Sequence, residues 1–218
     1  GELKDDILKG IVSATAVGDI WYGAPLFTSM YGTIYNKDIL KQAGYDKAPE
    51  TWDEFFECAE ACTIDEDGDG IPEIYGLGSG LSAGTFGYIA LFDVACKSVG
   101  GSFWNYDSSN PQPMFNNDKG VRALQILKTH YLSDFSDPVM STGDETAVRR
   151  SVASGQAAMG IHAIGAVEGV ALSDFPENVG KFAYSLFPYD PGFESWSCPG
   201  SMGFGIRKDG NVDAAIGY

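Results

Sequence analysis

Thr33-Ile34-Tyr35-Asn36-Lys37-Asp38-Ile39-Leu40 decides the fold: Thr33 to Tyr35 reads as a short strand, and Asn36-Lys37-Asp38 starts a helix that stops at Gly44. The same handover from strand to helix recurs along the chain, which predicts an α/β fold. Upstream, Tyr22-Gly23-Ala24-Pro25 closes a turn. Downstream, Thr51 and Glu54 have the spacing of a capping box, in which each side chain satisfies the other's free backbone amide. Trp52, Phe55, Phe56, Ala59 and Cys62 follow at helical spacing and read as core.

A strand is expected at 74–77, then a Gly/Ser-rich stretch at 78–84 and an apolar helix at 86–99 ended by Gly100-Gly101. A turn-rich, hairpin-like segment occupies 103–115. The helix predicted at 118–131 presents Val121, Leu124, Leu127 and Tyr131 on one face. A further helix at 145–153 stops at Gly155, as a left-handed cap requires. Strands at 157–161, 181–187 and 202–206 and a short helix at 166–172 complete the pattern. No internal repeat or low-complexity linker interrupts it.

Composition narrows the function classes. The 218 residues are 44% hydrophobic and 20% charged, enough apolar material for a sizeable core. A net charge of -16 repels nucleic-acid phosphates and provides no polybasic patch for an anionic membrane. No apolar run approaches the roughly 20 residues that span a bilayer. Gly1 is not an initiator, and Ala214-Ala215-Ile216-Gly217-Tyr218 reads as an interrupted helix start, so the expectation is a fragment or domain whose leader is absent.

Four cysteines are too few for a disulfide scaffold of this size. Cys58 and Cys62 stand one helical turn apart, with Cβ atoms about 5–6 Å apart, where a disulfide needs about 3.8 Å. Both read as small buried hydrophobes; the pairing of Cys96 with Cys198 stays open. No Cys/His spacing resembles a zinc site.

Asp65-Glu66-Asp67-Gly68-Asp69-Gly70 places carboxylates at positions 1, 3 and 5 of an EF-hand-type loop, with glycine at position 6 for the sharp turn. Ile71 offers a carbonyl at position 7 and Glu73 falls at position 9, but position 12 is Gly76 rather than glutamate. The reading is a structural Ca2+ site formed by Asp65, Asp67, Asp69, Ile71 and Glu73; the plain alternative is a solvated acidic turn.

Gly80-Leu81-Ser82-Ala83-Gly84 matches the G-x-S-x-G elbow of α/β-hydrolases and lies between a strand and a helix. Asp134, Asp137 or Asp144 and then His162 would supply the remaining members in that order. No HGGG-type oxyanion segment precedes the serine, and the glycines are equally explained by a helix start whose free amides hold a polar ligand. No phosphate-binding loop, dinucleotide fingerprint or H-E-x-x-H occurs.

Several segments resemble family 1 extracellular solute-binding proteins, the group with the maltose- and glycerol-phosphate-binding proteins. The residues that carry the likeness are Tyr22-Gly23-Ala24-Pro25 with Ile34 to Leu40, Ala43-Gly44-Tyr45-Asp46, Pro49 to Phe55, Ser154 to Met159, Phe187-Pro188 and Gly203 to Ile206. They fall in the family's order over nearly the whole chain.

The resemblance implies a type II periplasmic-binding-protein-like lobe with a mixed sheet flanked by helices. Residues 1–30 would be a first-lobe remnant and hinge crossover, 31–198 the second lobe, and 199–218 a truncated return. It implies an exported, non-enzymatic and monomeric component of an ABC importer, periplasmic or a cell-surface lipoprotein, that closes around a small polar solute and hands it to the transmembrane subunits. A carbohydrate is expected, a glycerophosphodiester being the alternative. The other classes are a serine hydrolase using Ser82 and a calcium-stabilised adhesion module.

Carried onto this sequence, the ligand positions are Thr28, Ser29, Ser82, Thr85 and Phe86. Relatives with a stacking Gly-Pro-Trp after the Ala-Met pair differ here, where His162-Ala163-Ile164-Gly165 stands. That departure makes His162 and Gly165 candidates and leaves the aromatic face to Trp196.

Overall fold

The computed structural model describes residues 16–17, 20–78, 86–105, 107, 109–138, 145–197, 199–205, 207 and 209–211. The chain divides into two compact units, Tyr31–Cys198 and Gly1–Met30 with Pro199–Tyr218. In chain order the described strands are β1 (Ala16–Val17), β2 (Ile20–Trp21), β3 (Ala24–Asn36), β4 (Tyr75–Gly78), β5 (Ala157–Ala163), β6 (Phe182–Ser185) and β7 (Pro199–Phe204). The helices are α1 (Lys37–Gln42), α2 (Trp52–Ala61), α3 (Phe86–Ser98), α4 (Asp118–Leu132), α5 (Glu145–Ser154) and α6 (Ala166–Asp174).

In the larger unit the sheet order is β4-β5-β3-β6. β3 runs antiparallel to β5 and β6, whereas β4 and β5 are parallel and joined across α3, α4 and α5. The sheet is therefore mixed, as expected. In the smaller unit, β1 and β2 pair antiparallel, and the first half of β3 pairs antiparallel with β7 from Ala24↔Phe204 to Met30↔Pro199.

β3 extends far beyond the expected strand. Only Tyr22 and Gly23 bend, and pairing resumes at Ala24, one residue before Pro25. Proline has no N–H for the ladder, and the register slips between Pro25 and Phe27.

Capping sets the helix starts. Asn36 Oδ1 accepts from the Asp38 and Ile39 amides at 3.0 and 3.4 Å. The capping box is present: Glu54 N–H donates to Thr51 Oγ1 at 3.3 Å, and Thr51 N–H to a Glu54 carboxylate oxygen at 3.1 Å. Gly155 ends α5 at φ +87°, as its sequence position predicts.

The face of α4 is as expected at Leu127 and Tyr131, which pack against the main core, and differs at Val121 and Leu124, each 54% exposed. The fully buried residues are Gly120, Ala123, Ile126 and His130. The helix packs on α3, and a Cβ on Gly120 would lie 1.7 Å from the Phe115 carbonyl oxygen of the preceding turn.

One face of the sheet carries the main core, including Leu40, Trp52, Phe55, Leu77, Val94, Ile126 and Met159. Ile34, Val152, Val167, Ala171 and Phe182 form a smaller core. Successive β3 side chains alternate between them, Tyr35 packing on the first and Ile34 in the second.

Arg122 on α4 binds both Asp190 carboxylate oxygens and one of Asp53, all at 2.9 Å, fastening the segment after β6 to α2 and α4. The 103–115 segment is hairpin-like, with Trp104 and Pro113 forming an antiparallel bridge. Cys58, Cys62 and Cys96 are free, buried thiols; Cys198 lies outside the described residues.

Candidate functional site

The candidate site occupies one end of the larger unit's sheet. β3 joins this unit at Tyr31, beside the end of β5, with Tyr31 paired to Ala163 and Gly32 to His162. Ser197 Oγ donates to the Tyr31 carbonyl at 2.7 Å, so the residues where the chain joins and leaves the unit lie side by side.

His162 is 2% exposed and stacks on Tyr31, with ring centroids 5.8 Å apart. Arg149 Nε–H on α5 donates to its Nε2 at 3.0 Å, and the Ala163 amide points at Nδ1 at 2.6 Å. Burial first, then the neighbouring Arg149 charge, push its pKa down to about 4. The ring is therefore neutral at pH 7, a hydrogen-bonding group and a poor base for any serine.

Gly165, also expected at the site, begins α6 and donates its N–H to the Tyr184 hydroxyl at 3.0 Å. Trp196 keeps 46% of its surface exposed, and Lys97 Nζ stands 5.3 Å from its ring centroid. A salt bridge from Lys97 to Asp93 at 2.9 Å helps hold that ammonium over the ring.

Thr28 and Ser29 lie on β3 opposite Ser201 and Gly200; their side chains are outside the described residues, as is that of Phe86, the first residue of α3. Ser82, Thr85 and Asp144 are wholly outside them. Tyr31, Arg149, Tyr184 and Ser197 join the site without having been singled out from the sequence. Their proximity comes from strand register and long-range packing, which no local spacing encodes.

The acidic loop brings Asp65, Asp67 and Glu73 together, with one oxygen of each within 4.8 Å of the others. Asp69 accepts from the Ile71 amide at 2.8 Å. Position 12 has no room for a carboxylate: a Cβ on Gly76 would lie 1.9 Å from the Ala59 carbonyl oxygen. Glu73 turns back across the loop and accepts from the Glu66 amide at 2.7 Å.

Burial alone pushes His130 down to about 3. Unfolded histidines titrate near pH 6.5, so between pH 6.5 and the folded values the unfolded chain binds more protons. Stability is then full above pH 6.5 and falls as the solution is acidified. From pH 7 to 5 the expected loss is about 2 kcal/mol for each of His130 and His162. Urea titrations at the two pH values check this; His130→Gln should remove about half of the histidine-linked change.

A mixed sheet of order β4-β5-β3-β6 flanked by helices is that of a type II periplasmic-binding-protein lobe. Residues 1–215 match the family model for the bacterial extracellular solute-binding protein, and the chain belongs to that family.

A solute-binding protein of an ABC transporter from Thermotoga lettingae TMO, bound with α-D-tagatose, is 23% identical with a TM-score of 0.83, over 97% of this chain and 52% of that one. Maltose-bound MalE3 of T. maritima is 25% identical with a TM-score of 0.82, over 98% and 52%. UgpB from Mycobacterium tuberculosis, in complex with glycerophosphocholine, is 15% identical with a TM-score of 0.74, over 98% and 49%. The chain spans about half the length of these proteins.

Proposed function

We propose that this chain supplies most of the second lobe of the extracellular substrate-binding component of an ABC importer, with 1–30 and 199–218 serving as the two crossovers to a first lobe. The protein binds a carbohydrate or a related polar solute between its lobes and passes it unchanged to the transmembrane subunits. It acts as an exported monomer, periplasmic or anchored as a lipoprotein. The observation that carries this reading is the Tyr31–His162 stack at the end of β5, beside the adjacent points where β3 joins the lobe and the chain, at Ser197 next to Trp196, leaves it. Solute contacts made only in the closed state would drive closure.

Thermal-shift screening of a protein carrying both lobes tests the reading. A sugar, polyol or glycerophosphodiester at about 100 times its Kd should add about 2.7 kcal/mol of stability. The absence of any shift across these classes contradicts it. The hydrolase alternative is disfavoured by His162, a buried imidazole of depressed pKa whose Nε2 lone pair is taken by Arg149 Nε–H. A fluorophosphonate should leave the chain unlabelled; labelling that Ser82→Ala abolishes would establish the hydrolase.

The acidic loop adds a structural role in the same reading: Asp65, Asp67 and Glu73 hold Ca2+, with the loop backbone and water completing the shell. Each carboxylate also accepts a loop amide yet keeps lone pairs for a cation. Calcium should raise the unfolding temperature, and EDTA should reverse the gain. An unchanged transition returns the loop to a solvated turn.

A further inference from the structure

Cys58 and Cys62 stand outside the proposed solute site. They lie one turn apart on the inner face of α2, Cys62 capping its C-terminus, and both are 0% exposed. Their sulfurs are 4.0 Å apart, and neither is in a disulfide.

That separation suits a shared metal ion better than a covalent bond. A disulfide needs sulfurs about 2.05 Å apart and Cβ atoms about 3.8 Å apart, so the end of α2 would have to unwind. A thiolate–metal bond of about 2.3 Å places two sulfurs about 3.8 Å apart in tetrahedral geometry and about 4.6 Å apart in linear geometry. The observed spacing of 4.0 Å lies between those limits.

The surroundings select the ion. Among the described residues, the only group of three or more metal-competent side chains is Asp65, Asp67 and Glu73, so the thiol pair has no third such ligand. Zinc takes four ligands and is poorly served; a soft ion that accepts linear two-thiolate coordination is well served. Both thiols belong to the main apolar core, where net charge is costly. Two thiolates around a divalent ion are neutral, whereas a monovalent ion leaves one negative charge.

The half-buried ring of Tyr45 packs against the core cluster containing both cysteines, and it sits in the turn after α1, held by its amide on the Leu40 carbonyl at 2.9 Å.

We propose that Cys58 and Cys62 form a bidentate site for a soft, thiophilic divalent cation. Capture is ligand exchange without redox change: each S–H gives its proton to solvent, two metal–sulfur bonds form, and two protons are released per ion.

Mercuric ion is the test probe, titrated as its simple salt into the 218-residue chain at neutral pH, with a competing monothiol added only in a separate series that ranks affinities. One equivalent of the salt should bind with two protons released, a thiolate-to-metal charge-transfer band and a higher unfolding temperature. The Cys96→Ser/Cys198→Ser double variant should behave the same way. Cys58→Ala and Cys62→Ala should each lose roughly 100-fold or more in apparent affinity, the worth of the second chelating arm.

Should either alanine variant fold poorly, mass spectrometry of the digested native complex must place the bridging mercury on the segment containing both residues. Uptake that survives Cys58→Ala, that disappears only in the Cys96/Cys198 variant, or that accompanies unfolding overturns the proposal. So does an absence of uptake by the native chain.

Discussion

Trp52→Ala is expected to destabilise the larger unit by about 3–5 kcal/mol, the usual cost of emptying a buried tryptophan site. Trp52 is 0% exposed and opens α2 directly after the capping residue Thr51. Its ring stacks on Phe56 with centroids 6.0 Å apart and meets Phe55 edge-on at 6.0 Å. The indole Nε1–H donates to Ser98 Oγ at 2.9 Å, and that hydroxyl donates onward to the Ala95 carbonyl at 3.0 Å.

One side chain therefore links α2 to the end of α3, while the Ser98 carbonyl accepts the Asp190 amide at 3.0 Å. Trp52→Phe separates the contributions: it keeps most of the packing, leaves Ser98 Oγ without the indole donor, and should cost about 1–3 kcal/mol. Urea unfolding followed by circular dichroism measures both. A loss below 1 kcal/mol for Trp52→Ala would mean that α2 is not a core element.

The second large effect is at Gly76, where the helix and the sheet meet backbone to backbone. A Cβ there would lie 1.9 Å from the Ala59 carbonyl oxygen and 2.7 Å from the Ala59 Cα. Main-chain atoms cannot rotate aside, so Gly76→Ala must push α2 off β4 and should cost about 3 kcal/mol, the upper end of overpacking penalties. The Gly76 amide also donates to Thr63 Oγ1 at 3.1 Å, which in turn donates to the Ala59 carbonyl at 2.9 Å. The displacement would thus reach the root of the acidic loop. Calorimetry should show the stability loss together with a weaker calcium response; a neutral substitution would contradict the close approach.

Most of the fold was legible because its signals are local. The Thr51/Glu54 box, the stop at Gly155 and the apolar spacing of Trp52, Phe55 and Ala59 depend on neighbours within a turn or two, and all three appear. What failed to show depends on distant chain. The first half of β3 becomes a strand because β7 is there to pair with it. The buried face of α4 includes Gly120 and His130, residues that apolar periodicity does not count.

The site divides in the same way. His162, Gly165 and Trp196 were marked by where the chain departs from its family's pattern. Tyr31 and Arg149 became visible only once β3 and α5 were placed against β5. In the acidic loop, sequence spacing singled out Asp65, Asp67, Asp69, Ile71 and Glu73; that an oxygen from each of Asp65, Asp67 and Glu73 converges depends on the path of the whole loop.

Equilibrium dialysis of maltose, ribitol and glycerophosphocholine against the two-lobed protein, with NMR spectra of the solute recovered afterwards, separates carriage from turnover. Saturable uptake of one class is expected, weakened at least tenfold by Trp196→Ala, with a solute spectrum unchanged after prolonged incubation. A solute recovered cleaved or otherwise altered at a rate proportional to protein concentration would contradict carriage.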